Sequence, residues 1–483
     1  MDDTNGRESI RAARVTQAHG PVRVRSRRAP SRPKANQGDD MGAPHDARKA
    51  WQVTVFLFLF MIVNFVDKIA VGMLAVPMMT EMKITPTQFG LIGSSFFWLF
   101  AVSGVAGGFA TTRWSTTRLL LVMGVVWSLL QIPMAVSASL VSLVLCRVLL
   151  GVAEGPAFPI AVHACYKWFP DSKRDLPVSI FAQGGGVGLL LAGVSIPQIS
   201  AHWGWRANFY VLAAIGATWC LLWLLFGREG PLETHTARTT DALRPGYGHE
   251  EKGSSFRTLL CTPTVLACFL LHFVAYWSLA LSLTWLPAYL QLGLGYNGVT
   301  SGRLYALIVG GGIPLSIAVS WLVGRLLARG VSSRIARGFM SGAVLAVAGI
   351  CLITLVLGDF TPALHVGLIC IALGLVPTVY ALVPALLAEI APPSRRGALL
   401  AIDNSIASIA AVMAPVLTGM LVQHAGARGS AGYAAGFAVC GAMMIIGGLL
   451  GAAFIDPRRV TDTPVDALGQ REPQPRAGLS QSD

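Results

Sequence analysis

Twelve stretches of about 20 predominantly apolar residues run through this 483-residue chain. A helix rising 1.5 Å per residue needs about that length to cross a hydrocarbon layer about 30 Å thick. The stretches fall at 52–77, 88–111, 118–138, 141–165, 177–200, 207–226, 264–290, 304–327, 337–357, 362–389, 398–422 and 432–454. Charged residues make up 13% of the chain and hydrophobic ones 54%, whereas a soluble domain carries about 25% charge. The expected fold class is therefore an all-α polytopic membrane protein. Where the charges fall also explains the net charge of +13. All but six of the 37 Lys and Arg residues lie in the two tails or in the loops that share a side with them. Of the six, Lys83, Arg206, Arg303 and Arg428 lie on the other side, and Lys68 and Arg147 lie inside spans. Basic loops stay in the cytoplasm, so both termini are expected there, and the charge records topology rather than a nucleic-acid partner.

A polar stretch beginning at 227, with Arg228, Glu229, Glu233, Asp241, Glu250, Glu251 and Lys252, divides the spans six and six. The expected organisation is a disordered basic tail over 1–50, a six-helix bundle over 51–226, a cytoplasmic linker over 227–262, a second six-helix bundle over 263–455 and a tail over 456–483. Met41 is an alternative translation start. Gly108, Arg113 and Arg118 after span 2 repeat at the spacing of Gly324, Arg329 and Arg334 after span 8. Parallel six-helix repeats place a binding site at their interface near the bilayer midplane. The eight cysteines show no CxxC spacing and read as small packed hydrophobes. No HExxH, Walker A, GxSxG or metal-ligand spacing occurs, and the loops are too short for a catalytic domain. An enzyme, a metal and a cofactor are not expected, which leaves an ion gradient as the energy source.

Asp67 and Lys68 in span 1, and Arg147 and Glu154 in span 4, sit where lipid should surround the chain. Each costs roughly 2.5–3.5 kcal/mol to insert at a helix centre, so such residues mark ion or substrate pathways. Arg147 and Glu154 are seven residues apart, on one helix face but about 10.5 Å apart along the axis, and each needs another partner. Asp67 is expected to pair with Arg147. Lys68, about 100° away around its helix, is expected to face a central cavity and receive a carboxylate, leaving Glu154 as proton carrier, since burial disfavours an ionised carboxyl. A purely structural quartet is the weaker reading, because small residues join membrane helices at lower cost. Tyr276 and Trp277 in span 7 are candidates to line the cavity. His272 reads as a packed core or interface histidine in preference to a proton relay, and Asp403 as either a helix cap or a site residue.

Span 4 runs Arg147-Val-Leu-Leu-Gly151-Val-Ala-Glu154-Gly155-Pro156-Ala-Phe158-Pro159, followed by Trp168-Phe169-Pro170. With Asn64-Phe-Val-Asp67-Lys68 in span 1 and Thr284-Trp285-Leu286-Pro287-Ala-Tyr289-Leu290 in span 7, it resembles the anion:cation symporter family of the major facilitator superfamily. Trp205-Arg206, Asn404 and Pro415 fit the same pattern. The resemblance covers about residues 50–455. It implies two six-helix bundles that import a small organic anion, a carboxylate, with protons by alternating access, as a monomer in a bacterial inner membrane. It also implies that Asp67 shares the proton-coupling role with Glu154, and that Lys68, Arg147, Gln183 and Asn404 contact substrate. The chain departs from the family at Lys68, where arginine is usual, at Phe100, where a tyrosine is common, and in the loops after spans 2 and 8. There Thr112 and Ala328 stand in place of an acidic latch residue. Proton-driven efflux of a drug or metabolite is the competing reading, but its glycine-proline signature is missing around Pro197. A non-transporting anion sensor is a further alternative, disfavoured by the absence of a signalling domain.

Overall fold

The computed structural model of the protein describes residues 46–232, 256–358, 360–392, 394–426 and 429–458. The tail over 1–45, with Met41, most of the linker and the last 25 residues lie outside the described residues. Among those described, twelve helices are long and apolar enough to cross a membrane: α1 (Ala47–Met73), α2 (Pro86–Ala110), α3 (Thr116–Val136), α4 (Leu140–Tyr166), α5 (Asp175–Trp203), α6 (Trp205–Phe226), α7 (Pro263–Thr284), α8 (Gly298–Ala328), α9 (Arg334–Leu357), α10 (Pro362–Ile390), α11 (Arg396–Ala425) and α12 (Ser430–Phe454). All twelve coincide with the apolar stretches.

Local chemistry sets where these helices begin. Side-chain oxygens of Thr85, Ser115, Ser139, Thr262, Asn297 and Thr361 each accept a backbone N–H of the following first turn, satisfying donors that have no partner within the helix. Pro86, Pro263 and Pro362 occupy first-turn positions that need no N–H. The cap at Asn297 starts α8 at Gly298 rather than at 304, because the polar first turn is held by its cap and not by lipid.

Several helices are interrupted. α4 breaks at Gly155-Pro156 and α10 at Val376-Pro377, where proline removes an N–H. α2 is interrupted between Ser95 and Phe100 without a proline. That interruption lies where Gly151 and Gly155 of α4 meet it: a Cβ on either would collide with the carbonyl of Phe96 or Phe100.

Pairing repeats with an offset of six helices. α1 packs on α5, α2 on α4 and α3 on α6; in the second half α7 packs on α11, α8 on α10 and α9 on α12. Gly184 and Gly188 of α5 lie directly against the backbone of Phe58 and Ile62 of α1, so the glycine-rich run after Gln183 serves close helix packing. The chain after the last helix of each half is anchored similarly. Glu229, just past α6, caps the start of α3 through Thr116 and Thr117, whose N–H and O–H groups donate at 2.7–3.2 Å, and pairs with Lys167 at the end of α4. Asp456, just past α12, pairs with Arg334 at the start of α9 at 3.2 Å. These acids follow the sixth and twelfth helices, whereas the usual latch acids would stand at Thr112 and Ala328.

The halves meet at the end away from the termini. A Cβ on Gly72 would collide with the Leu283 carbonyl, one on Gly90 with Pro415 and one on Gly419 with Pro86. Phe89 and Trp285 stack edge to face at 5.2 Å, and Thr87 N donates to Gln423 Oε1 at 3.3 Å. Toward the other end, a Cβ on Gly108 of α2 or Gly397 of α11 would meet nothing within 4 Å. The backbone-to-backbone contacts between the halves named above thus lie at the end away from the termini, which is the closed end.

Two outcomes are expected. Gly72→Leu should hold the closed end apart, so that a cysteine at buried Ser94 reacts faster with a water-soluble maleimide in detergent; unchanged labelling would show that this contact does not close the end. Burial alone would raise the Glu229 carboxyl, but hydrogen bonds from Lys167, Thr117 and Thr116 outweigh it and hold the group at about 2. A lowered carboxyl contributes its stability above the unfolded value and loses it as pH falls toward the folded one. Glu229→Gln should therefore cost about 1–2 kcal/mol at neutral pH, discounted for partial exposure. The deficit should shrink below about pH 4.5, read from tryptophan-fluorescence melts.

Candidate functional site

The break in α4 and the close approach of α2 put span 4's charged face against α1. Asn64 Nδ2 donates to Glu154 Oε2 at 2.7 Å, and Lys68 Nζ donates to Asn64 Oδ1 at 2.6 Å. Lys68 Nζ also lies 3.6 Å from Glu154 Oε2, with the Glu154 side chain fully buried and that of Lys68 12% exposed. Asn64 is one helical turn before Lys68, so the two share a face of α1, and the amide orders the ammonium and the carboxylate at once. Phe65 and Phe100 place their rings 4.6 and 5.4 Å from the Lys68 ammonium, an arrangement that favours a cation.

The ion pair that forms is Lys68–Glu154 rather than the expected Asp67–Arg147. Arg147 lays its guanidinium over Phe96 at 4.6 Å, and its Nε and Nη1 are buried without hydrogen-bond partners. Asp67 and Arg147 act on one another electrostatically without closing into a bridge. The reason lies in α4: Gly151 and Gly155 draw α2 so close that Phe96 takes the face of the guanidinium, while Glu154, two turns further on, reaches Asn64. Asp67 Oδ2 and Glu154 Oε1 are likewise buried without a hydrogen-bond partner. Buried polar groups are normally paired, so this concentration of unmet capacity marks a place where further protons or a ligand can be accommodated.

A second polar cluster joins α7 to α11 as two adjacent rungs. Tyr276 donates its hydroxyl to Asn404 Oδ1 at 3.0 Å. One turn earlier, His272 Nδ1 and Asp403 Oδ2 are 2.5 Å apart. Tyr380 of α10 packs its ring on Tyr276 at 5.6 Å and donates its hydroxyl to the Ala275 carbonyl at 2.8 Å. Lys68 precedes Gly72 by four residues and Tyr276 precedes Leu283 by seven, so both clusters lie roughly 6–10 Å to the open side of the contact that closes the halves.

The residues singled out in the sequence therefore divide. Lys68 and Glu154 share one cluster, with Asp67 and Arg147 buried beside it, and Tyr276 and Asn404 form the second. Gln183 is exposed at the start of the glycine run, outside both hydrogen-bonded clusters. Trp277 is 3% exposed and packs beside Phe273, with its Nε1 buried and without a hydrogen-bond partner, outside both hydrogen-bonded clusters. Asn64 was not singled out as a site residue, and the pairing of His272 with Asp403 was not expected. The four-residue spacings 64/68 and 272/276 were the available signal. Asp403 is not a helix cap: it sits two turns inside α11.

The sequence profile described as the Major Facilitator Superfamily matches residues 56–383 and 332–481. The chain belongs to this superfamily. It is a multi-pass membrane transporter and not an enzyme. Its sequence is 26% identical over 418 residues to the hexuronate transporter of Bacillus subtilis, covering 84% of this chain and 94% of that one. It is 27% identical over 424 residues to the probable sulfoacetate transporter of Cupriavidus necator, covering 85% and 95%. The D-galactonate transporter of Escherichia coli is 22% identical over 423 residues, covering 84% and 97%. Among solved structures, an inward-facing, unoccupied bacterial homologue of the human lysosomal transporter Spinster superposes with a TM-score of 0.68 at 19% identity, covering 85% of this chain and 97% of that one. The D-xylose-proton symporter gives 0.69 at 15% identity, covering 85% and 99%. These two likenesses establish the fold.

Asn64→Ala in this facilitator would leave Glu154 Oε2 without its amide donor. An unmet buried acceptor costs about 1–3 kcal/mol, so thermal stability in detergent should fall by that amount. Asn64→Ala unfolding like wild type would show that the amide is not structurally coupled to Glu154.

Proposed function

We propose that this facilitator carries a small organic anion together with protons, and that Lys68 is the group on which the two compete. The observation behind this reading is the Lys68–Asn64–Glu154 contact. A substrate carboxylate needs the ammonium that Glu154 now holds. Protonation of Glu154 removes the competing charge and frees Lys68 for the anion; loss of that proton draws Lys68 back and expels it. Asp67, next in sequence and buried with Arg147, shares the proton-coupling role. Arg147 supplies positive potential from beneath Phe96. Asn404 and Tyr276 offer polar contacts from the facing half, and Gln183 on the open side lies on the way in.

The names of the relatives, transporters of hexuronate, sulfoacetate and D-galactonate, support an anionic substrate. Phe65 and Phe100 around the ammonium support one with fewer hydroxyls than a sugar acid. In this reading residues 51–226 and 263–455 form two bundles that rock about the contact at Gly72 and Leu283. In the same reading the termini are cytoplasmic, which the Lys and Arg distribution supports, and the protein works as a monomer in the cell membrane. Import follows from the direction of the proton gradient.

Uptake by proteoliposomes under an inward proton gradient tests this, with hexuronates, aldonates, sulfoacetate and aromatic carboxylates as probes. Glu154→Gln should remove the proton coupled through Lys68 and so weaken gradient-driven uptake, while leaving exchange of anion across the membrane. Lys68→Ala should weaken both by about 10–150-fold, the worth of a lost charge-assisted hydrogen bond of about 1.5–3 kcal/mol. Full gradient-driven uptake in Glu154→Gln would contradict the proposal.

A further inference from the structure

We propose that His272 and Asp403 form a second proton site, in the half of the molecule opposite Glu154. The inference rests on the transport reading above and adds to it a second proton carried per cycle. His272 sits in mid-α7 and Asp403 in α11, with Nδ1 and Oδ2 2.5 Å apart and side chains 7% and 2% exposed. The other carboxylate oxygen, Asp403 Oδ1, is buried without a hydrogen-bond partner.

The groups around the pair are uncharged at neutral pH. On α7, Tyr276 meets the imidazole edge to face at 5.0 Å, and Cys268 acts on Asp403 from one turn before His272. On α10, Tyr380 lies 6.0 Å from the imidazole; on α12, Cys440 adjoins Tyr380. On α11 itself the neighbour is the amide of Asn404. With no further ion pair on these two side chains among the described residues, the charge of the site is set by the pair alone. One proton shared between imidazole and carboxylate makes it neutral overall. Without that proton it carries one negative charge, which a buried site tolerates poorly unless water reaches it. The two groups therefore exchange a proton as a unit.

A structural role alone accounts poorly for this pair. α7 and α11 are already joined by Tyr276 to Asn404 and by Trp285 Nε1 to the Pro415 carbonyl at 2.8 Å. A buried ionisable pair is a costly way to add another tie, and ionisable groups at membrane depth mark proton and ion pathways. Asp403 lies seven residues into α11 from its start at Arg396, roughly 10 Å along the helix. That places the pair toward the end that carries the termini, away from the contact that closes the halves, so alternating access changes its exposure to water. A monoanion carried with one proton at each site moves net positive charge with the anion.

The test is the proton-to-anion ratio of the full-length protein in liposomes, obtained from the reversal of glucuronate, galactonate or sulfoacetate flux against set proton gradients. Wild type should give a ratio of two. The His272→Gln/Asp403→Asn double variant, isosteric and neutral, should give one while retaining anion exchange. A wild-type ratio of one, or a ratio of two in the exchanging double variant, overturns the proposal. Should the double variant fail to fold, His272→Gln and Asp403→Asn are measured singly: a ratio of one in either supports the proposal, and a ratio of two in both overturns it. A wild type that moves none of these anions counts against the transport reading instead. The site is then tested by proton uptake of the purified protein between alkaline and acidic medium: wild type should take up more protons than His272→Gln/Asp403→Asn, and equal uptake overturns it.

Discussion

Glu154 is fully buried, and the cation nearest to it is Lys68 on another helix, with Asn64 between them. A carboxylate removed from water needs a partner, and removing one member of a buried pair is far more disruptive than the pair's net worth. The rest of the first half is arranged to keep this contact possible. Gly151 and Gly155 let α2 and α4 touch backbone to backbone, Pro156 interrupts α4 just after Glu154, and Phe96 takes up Arg147 so that it does not compete for the same carboxylate. In the proposed function the ammonium that neutralises the acid is also the group that holds the anion, and this shared demand couples two chemically different cargoes.

The second half answers with a different chemistry. Where α1 and α4 offer charge, α7, α10 and α11 offer hydroxyl, amide and imidazole groups on aromatic scaffolding. A ligand between the halves meets cation on one side and neutral donors and acceptors on the other, which orients an anion with a single charged end. In the proposed transport cycle the glycine contacts at the closed end act as the fulcrum. They bring backbone against backbone at Gly72, Gly90 and Gly419, so separating the halves there breaks many small dispersion contacts and few hydrogen bonds.

Much of this was legible in the sequence. Lengths of apolar residues placed all twelve spans, and the cost of charge in lipid singled out Asp67, Lys68, Arg147 and Glu154. The partners were not legible. Spacing along α4 showed that Arg147 and Glu154 could not pair with each other, but which cation of α1 or α4 meets which acid depends on the approach of a third helix, α2. Asn64 was visible in its motif, and its four-residue spacing to Lys68 is a signal that a local reading can use. The His272–Asp403 pair depends on the register between α7 and α11, set by contacts such as Trp285 with Pro415. No pattern within either helix reveals that register. Which of Tyr276 and Trp277 joins the hydrogen-bonded cluster was hidden for a similar reason: their helix is buried nearly all round, so adjacency says little about which side chain faces the site.

The central claim is that an anion and Glu154 compete for Lys68, and proton uptake on anion binding measures it most directly. Purified protein in lightly buffered detergent with a pH-sensitive dye would be titrated with glucuronate, galactonate or sulfoacetate. The account predicts uptake of protons as the anion binds, reduced by about one per anion in Glu154→Gln. Binding that takes up as many protons in Glu154→Gln as in wild type would show that the acid and the anion do not share the lysine, and would contradict the account.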